Sequence, residues 1–188
     1  MTEKGSLGES ATRPVIVAAG RRVDAPETGA IRFPPQNVPE VRRKIGEFLK
    51  RERPAAVVAS AACGADLLLL QASEEFSGTN RYILLPSPPE EFRKSSVTDR
   101  PGDWGEIYSR ALMKSDVQVL KLPGGQEGYL QTNTELLNKA QSVGEELKTT
   151  VHALVIWNKQ SRGDDDVTAH FLEEARKRNL AVTEISTT

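Results

Sequence analysis

The feature that most constrains this fold is a regular alternation of strand-like and helix-like segments. Short apolar runs with β-branched residues, such as residues 14–19 and 55–60, are typical of strands buried on both faces of a sheet. Longer segments with apolar residues at helical spacing separate these runs. Strand and helix alternate five times, which predicts a parallel sheet with crossover helices on both faces. We therefore expect one Rossmann-like α/β domain of three layers, with a mostly parallel sheet of about six strands.

The predicted elements also indicate where a ligand would bind. Strands are predicted at residues 14–19, 55–60, 81–85, 117–120, 151–157 and 181–185, and helices at 39–53, from 64 onward, 90–94, 104–114, after the turn at 124–128 to about 147, and 166–178. Parallel sheets of this kind bind ligands beyond the carboxyl ends of their strands. The long connection at residues 21–37 is of the length that is often functional. Residues 1–12 are predicted to be a disordered leader, and residues 13–188 the domain.

The composition of the chain argues against nucleic acid, membranes and metal ions as binding partners. The chain has 25 basic and 26 acidic residues, so it lacks the basic surplus that nucleic-acid binding requires. No apolar stretch is long enough for a bilayer, and the N-terminus lacks the apolar core of a signal peptide, which together predict a cytoplasmic protein. A single cysteine, Cys63, excludes an intramolecular disulfide and a cysteine-based metal cluster. The two distant histidines and the run at 163–166, which is predicted to cap the last helix, indicate no metal site and no cofactor.

The first candidate binding turn follows the first strand and contains Gly20, Arg21 and Arg22. Glycine lets the backbone approach a ligand, and two arginines offer charge and forked donors for a phosphate. A solvated loop with a turn glycine is the alternative.

The second candidate turn follows the second strand, where small residues lead into a helix; its residues are Ser60, Cys63, Gly64, Ala65 and Asp66. Exposed amides at a helix start suit an anion, whereas the alternative for the same residues is simple packing. Cys63 is expected to be a buried packing residue rather than a nucleophile, since no histidine lies near it in sequence.

The third candidate turn follows the fourth strand and contains Gly124, Gly125, Gly128 and Tyr129. The glycines allow close approach to a phosphate, and the tyrosine ring suits stacking on a base. The turn is neither a P-loop nor a dinucleotide-binding glycine motif. Three such turns at one sheet edge predict a ligand site more strongly than any one of them.

Together the three turns resemble the SLOG superfamily of Rossmann-like nucleotide-binding proteins, which includes the LOG phosphoribohydrolases and the DprA proteins. The similarity runs from about residue 14 to residue 185. The Gly-Ala-Asp turn at 64–66 and the Pro-Ser-Pro-Pro-Glu-Glu-Phe-Arg stretch at 86–93 resemble bacterial sensor-like members most. The resemblance implies that Gly20, Arg21 and residues 64–66 and 124–129 line a nucleotide pocket.

The chain departs from the LOG enzymes in the third turn. Those enzymes follow Pro-Gly-Gly with Gly-Thr and then a catalytic glutamate, whereas here Tyr129 follows Gly128 and Glu135 lies farther along. We therefore expect a sensor that binds a nucleotide or nucleotide-derived molecule without catalysis. Two alternatives stay open: a phosphoribohydrolase that uses Glu127 or Glu135 with Arg93, and a structural or assembly domain with a vestigial pocket.

A leucine run at residues 67–70 covers more of its helix than one sheet face can bury. An exposed apolar surface of that size predicts a homodimer. The resemblance implies the same, because LOG-type proteins tend to pair through helices.

Overall fold

The computed structural model describes residues 12–188, so the predicted disordered leader lies almost entirely outside the described residues. The described part contains six strands: β1 (Val15–Gly20), β2 (Ala56–Ala59), β3 (Asn80–Leu85), β4 (Asp116–Val119), β5 (Val151–Trp157) and β6 (Ala181–Ser186). Six α-helices connect them, two of which lie between β3 and β4: α1 (Val38–Glu52), α2 (Ala65–Ser73), α3 (Pro89–Ser96), α4 (Trp104–Met113), α5 (Gln126–Leu147) and α6 (Val167–Lys177). The predicted elements are confirmed, with boundaries that move by a few residues.

All six strands are parallel and follow the order β4-β3-β2-β1-β5-β6. Alternate residues of β1 face opposite layers: Ile16 and Ala18 belong to the core under α1, α2 and α4, whereas Val15 and Val17 belong to the core under α5 and α6. The predicted Rossmann-like sandwich is therefore confirmed. The strand order reverses between β1 and β5, and a crevice forms at such a point beyond the carboxyl ends of the strands.

The leucine run of α2 is buried within its own chain. Leu67, Leu68 and Leu69 are fully buried and Leu70 is 1% exposed, because α2 packs against α1, α4 and the sheet. These leucines offer no apolar surface to a second copy. The homodimer was predicted on the premise that part of this leucine run is exposed. That premise is wrong, because α2 is covered on several sides by its own chain.

Within residues 12–188, none of the helices combines the length and the apolar character that crossing a bilayer requires.

Candidate functional site

A cavity of about 540 Å³ opens at the carboxyl ends of the strands, beside the point where the strand order reverses. This volume is within the range of small-molecule sites, about 300–1,000 Å³. Its walls come from β1 and the following loop, the turn after β2, α3, α5 and the β5–α6 loop. Of the predicted binding residues, the cavity lining includes Gly20, Arg21, Arg22, Ser60, Asp66 and Tyr129, and it does not include Cys63, Gly64, Ala65, Gly124, Gly125 and Gly128.

Arg21, which we predicted as a phosphate ligand, is bound to the protein itself. Its Nε donates to Asn158 Oδ1 at 3.0 Å, and Nη1 donates to Asp166 Oδ1 at 2.6 Å. Its Nη2 donates to the Gln160 carbonyl at 2.7 Å and to the second Asp166 oxygen at 2.6 Å. The guanidinium also lies 5.5 Å from the centre of the Trp157 ring. Arg21 thus fastens β1 to the β5–α6 loop, and its donors are directed at the protein rather than at the cavity.

The partner of Arg21, Asp166, holds the start of α6. Its side chain accepts hydrogen bonds from the amides of Thr168 at 2.9 Å and Ala169 at 3.2 Å, and also from Arg162 N at 2.9 Å. The prediction that this acidic run caps the last helix is confirmed. Burial acts to raise the pKa of Asp166, but the Arg21 guanidinium and the amides outweigh burial and lower that pKa to about 2.

Gly20 is required by a close contact inside the protein. A Cβ added to Gly20 would lie 2.4 Å from the Ala65 Cβ and 2.4 Å from the Ile156 carbonyl oxygen. The end of β1 is thus wedged between α2 and β5. The small residue allows this packing, and the cavity borders it.

Gly64 has the same kind of role in the second turn. Its φ is +98°, a left-handed conformation that favours glycine, and an added Cβ would lie 2.8 Å from both Arg21 O and Val23 N. The amide of Ala65 donates to Arg21 O at 3.1 Å, and that of Cys63 donates to Ser96 O at 2.9 Å. The start of α2 therefore packs on protein backbone where the sequence predicted a phosphate.

Cys63 is fully buried behind this turn. Burial raises the pKa of its thiol, although the neighbouring Arg22 opposes that effect. A buried thiol with a raised pKa is a poor nucleophile. The side chain packs in the core, as expected from the sequence.

Asp66 is the member of the second turn whose carboxyl reaches the cavity. It is 8% exposed, and its one hydrogen bond from the described residues comes from the Ala62 amide at 3.2 Å. Burial raises the pKa of Asp66 to about 7, while the Ala62 amide and the charge of Arg22 act against this rise. A carboxyl with this pKa exchanges its proton near neutral pH, a property often found at functional sites.

The third turn contributes its helix rather than its glycines. Gly124 and Gly125 are exposed, and a Cβ added to either would meet no atom within 4 Å. Gly128 is buried, and its Cβ would lie 2.0 Å from the Pro123 carbonyl, so this glycine lets the turn fold against α5. Tyr129, one residue later, lines the cavity, and its hydroxyl is 3.0 Å from Ser96 Oγ.

The three residues named for an enzymatic alternative do not form part of the cavity lining. Glu127 is exposed and accepts from Gln131 Nε2 at 3.1 Å. Glu135 accepts a hydrogen bond from a neighbouring side chain of α5, and Arg93 donates to Ser109 Oγ at 3.2 Å. The carboxylates that do line the cavity are Asp24, Asp66 and Asp165.

Sequence reasoning missed three cavity arginines: Arg32, Arg100 and Arg162. They come from the β1–α1 loop, the α3–α4 loop and the β5–α6 loop. With Arg21 and Arg22 they bring the number of arginines in the lining to five, against three aspartates. The length of the β1–α1 loop was the only signal that pointed toward Arg32, and it did not distinguish that residue from its neighbours.

The fold and the cavity define a Rossmann-like α/β protein with a ligand-sized site at its strand ends. No protein-family model and no curated protein matches the chain. Among solved structures, the chain is similar to a protein of Enterococcus faecalis V583 that is described as a candidate cellobiose-phosphate cleavage protein, with 13% sequence identity and a TM-score of 0.25. The alignment covers 91% of this chain and 66% of that one. A similarity at this level does not indicate a shared function.

Proposed function

We propose that this protein is a SLOG-like binding module that senses a nucleotide or nucleotide-derived molecule in the cavity, without catalysis of its own. The observation that carries the proposal is the concentration of five arginines around one cavity of about 540 Å³. Three of these arginines pair with Asp166 or Asp99, so the positive charge left for a ligand comes from Arg32 and Arg162. Arginine is well suited to bind phosphate groups through paired hydrogen bonds.

The other cavity residues suit the remainder of a nucleotide. Tyr129, which is half-buried, supplies an aromatic ring at the wall formed by α5, where a base can stack. The Asp66 carboxyl and the amide oxygen of Asn133 supply hydrogen-bonding groups for the base or the ribose hydroxyls, while the amide nitrogen of Asn133 donates to Val167 O at 2.7 Å. We also propose that the protein is cytosolic. A homodimer stays a prediction for which no surface is assigned.

Calorimetric titration with nucleoside mono-, di- and cyclic phosphates tests the proposal. Ser60→Phe would fill the cavity at the end of β2, and Ser87→Phe places the same ring after β3, outside the cavity lining. We expect at least one nucleotide to bind wild type and Ser87→Phe with equal affinity and to lose measurable binding to Ser60→Phe. Absence of binding to wild type across the panel would favour a structural domain with a vestigial pocket. Equal binding to all three proteins would place the nucleotide elsewhere.

Asp66 supports a second candidate function, hydrolysis of an N-glycosidic bond. A carboxyl with a pKa of about 7 inside a ligand-sized cavity has the properties of a general acid or base. In this alternative Asp66 is the general acid or base, the role for which the sequence analysis considered Glu127 or Glu135. Chromatographic detection of free base from nucleoside monophosphates, abolished by Asp66→Asn, would establish the enzyme. Release no faster than a blank supports the sensor.

A further inference from the structure

We infer that the anionic group of the ligand is held by Arg32 and Arg162, rather than by the glycine turns or by Arg21. This inference rests on the proposed function and names the side chains that recognise the phosphate. It follows from how the five cavity arginines are already bonded within residues 12–188.

Three of the five arginines are committed to the protein. Arg21 is 5% exposed and makes the four hydrogen bonds described above. Arg22 pairs with Asp99 through Nη2, and its Nε is buried without a hydrogen-bond partner among the described residues. Arg100 binds the same carboxylate at 2.6 Å and donates from Nε to Val23 O at 3.1 Å. A ligand phosphate would have to displace these partners in order to recruit any of the three.

Arg32 has no hydrogen-bond or ion-pair partner for its guanidinium among the described residues. Its backbone is nevertheless held on both sides, since its amide donates to Asp24 Oδ2 at 2.9 Å and its carbonyl accepts from the Thr187 hydroxyl. Asp24 N also donates to Phe33 O at 2.8 Å, which closes the loop at its base. A fixed backbone thus places an arginine whose guanidinium has no partner among the described residues in the cavity lining.

Arg162 reaches the cavity from the β5–α6 loop. Its amide donates to Asp166 at 2.9 Å, but its Nε lies 3.6 Å from Asp166 Oδ2, which is beyond hydrogen-bond distance. Asp166 is already bonded by Arg21 on both oxygens. Two arginines therefore share one carboxylate, and the more exposed of them, Arg162, retains positive charge for a ligand.

Two observations argue against binding of the phosphate at the N-terminus of α2. The Ala65 amide already donates to the Arg21 carbonyl, and the Leu67 amide donates to Ala62 O at 3.4 Å. The Asp66 carboxyl lies at the same helix start, and it repels a phosphate whenever it is ionised. The anion is therefore directed away from α2 and toward the two loop arginines.

Titration calorimetry with pyrophosphate, adenosine 5′-monophosphate and adenosine tests this inference on wild type, Arg32→Gln, Arg162→Gln and the double variant. Arg43→Gln is the control, since Arg43 lies on the exposed face of α1. We expect each cavity variant to weaken pyrophosphate and the monophosphate by about 10- to 100-fold, the effect of losing a hydrogen bond to a charged group. Adenosine should bind all five proteins equally, and thermal unfolding should be unchanged.

Equal losses for adenosine and its monophosphate would show that the arginines only support the fold, and would overturn the inference. Unchanged monophosphate binding in the arginine variants, with tighter binding in Asp66→Asn, would place the phosphate at α2 and would also overturn it. Arginine-dependent binding of pyrophosphate without binding of the adenine compounds would support the anion site and count against an adenine nucleotide. Absence of binding of both pyrophosphate and the monophosphate to wild type would overturn the inference, and the wider nucleotide panel would then decide the proposed function.

Discussion

The buried pair of Arg21 and Asp166 allows a quantitative prediction for Asp166→Asn. This nearly isosteric change removes the carboxylate charge and leaves the Arg21 guanidinium, which is 5% exposed, without its counter-ion. Breaking a buried ion pair by removing one partner costs about 3–5 kcal/mol, since the remaining charge stays desolvated. We therefore expect Asp166→Asn to lower the free energy of unfolding by about that amount at pH 7.

Part of the stability that the Asp166 carboxylate contributes can also be measured from the pH dependence of wild type. Asp166 has a pKa of about 2 in the folded chain and 3.8 without these partners. The difference corresponds to about 2 kcal/mol, present above pH 4 and lost as the pH falls toward 2. Asp166→Asn should not show this part of the acid destabilisation. Urea unfolding followed by tryptophan fluorescence between pH 7 and pH 2 measures both effects.

Two controls separate charge pairing from general damage. Glu40→Gln breaks the exposed pair with Arg43 and should leave the unfolding free energy unchanged. The double variant Arg21→Gln with Asp166→Asn should lose less stability than the sum of the single losses, because neither charge is then left unpaired. Additive losses, or an Asp166→Asn protein as stable as wild type, would refute the reasoning.

Three further predictions concern the second turn and its helix. Gly64→Ala should lower the free energy of unfolding, measured with a chemical denaturant, by about 1–3 kcal/mol, because φ at Gly64 is +98° and the added Cβ would meet backbone atoms. Gly124→Ala is the control and should leave the free energy of unfolding unchanged, since an added Cβ meets no atom there. Equal effects of the two substitutions would contradict this prediction. Asp66→Asn should match wild type in stability near pH 4 and exceed it by up to about 4 kcal/mol at pH 8. The reason is that wild type loses stability between about pH 4 and pH 7, where the unfolded carboxyl is ionised and the folded one is still protonated. A constant difference across unfolding curves would argue against the raised pKa. Leu68→Ala should lower the free energy of unfolding by about 2–5 kcal/mol, because Leu68 is buried in its own chain. For the same reason the molecular mass measured by light scattering should be the same as that of wild type. A change in mass would indicate that the leucines of α2 take part in the predicted homodimer.

The sequence alone determined the elements and their class. The apolar run of β1 and the helical spacing in α1 are local patterns, and each can bury its apolar residues in only one kind of structure. Alternation of the two then requires crossovers and a parallel sheet. The cap at Asp166 is equally local, since a carboxylate before a helical segment satisfies the amides at its start.

Only the tertiary structure decided the roles of the site residues. The sequence shows that Arg21 is a cation after a strand, but its partner Asp166 lies 145 positions away and comes beside it only when β1 pairs with β5. The sequence predicted that Gly20 and Gly64 allow a ligand to come close, whereas the atoms that lie close to them in the fold belong to the protein. The leucines of α2 are covered by helices whose positions depend on chain topology. Residue type fixes what a side chain is able to bind, and long-range packing determines whether that capacity is already satisfied.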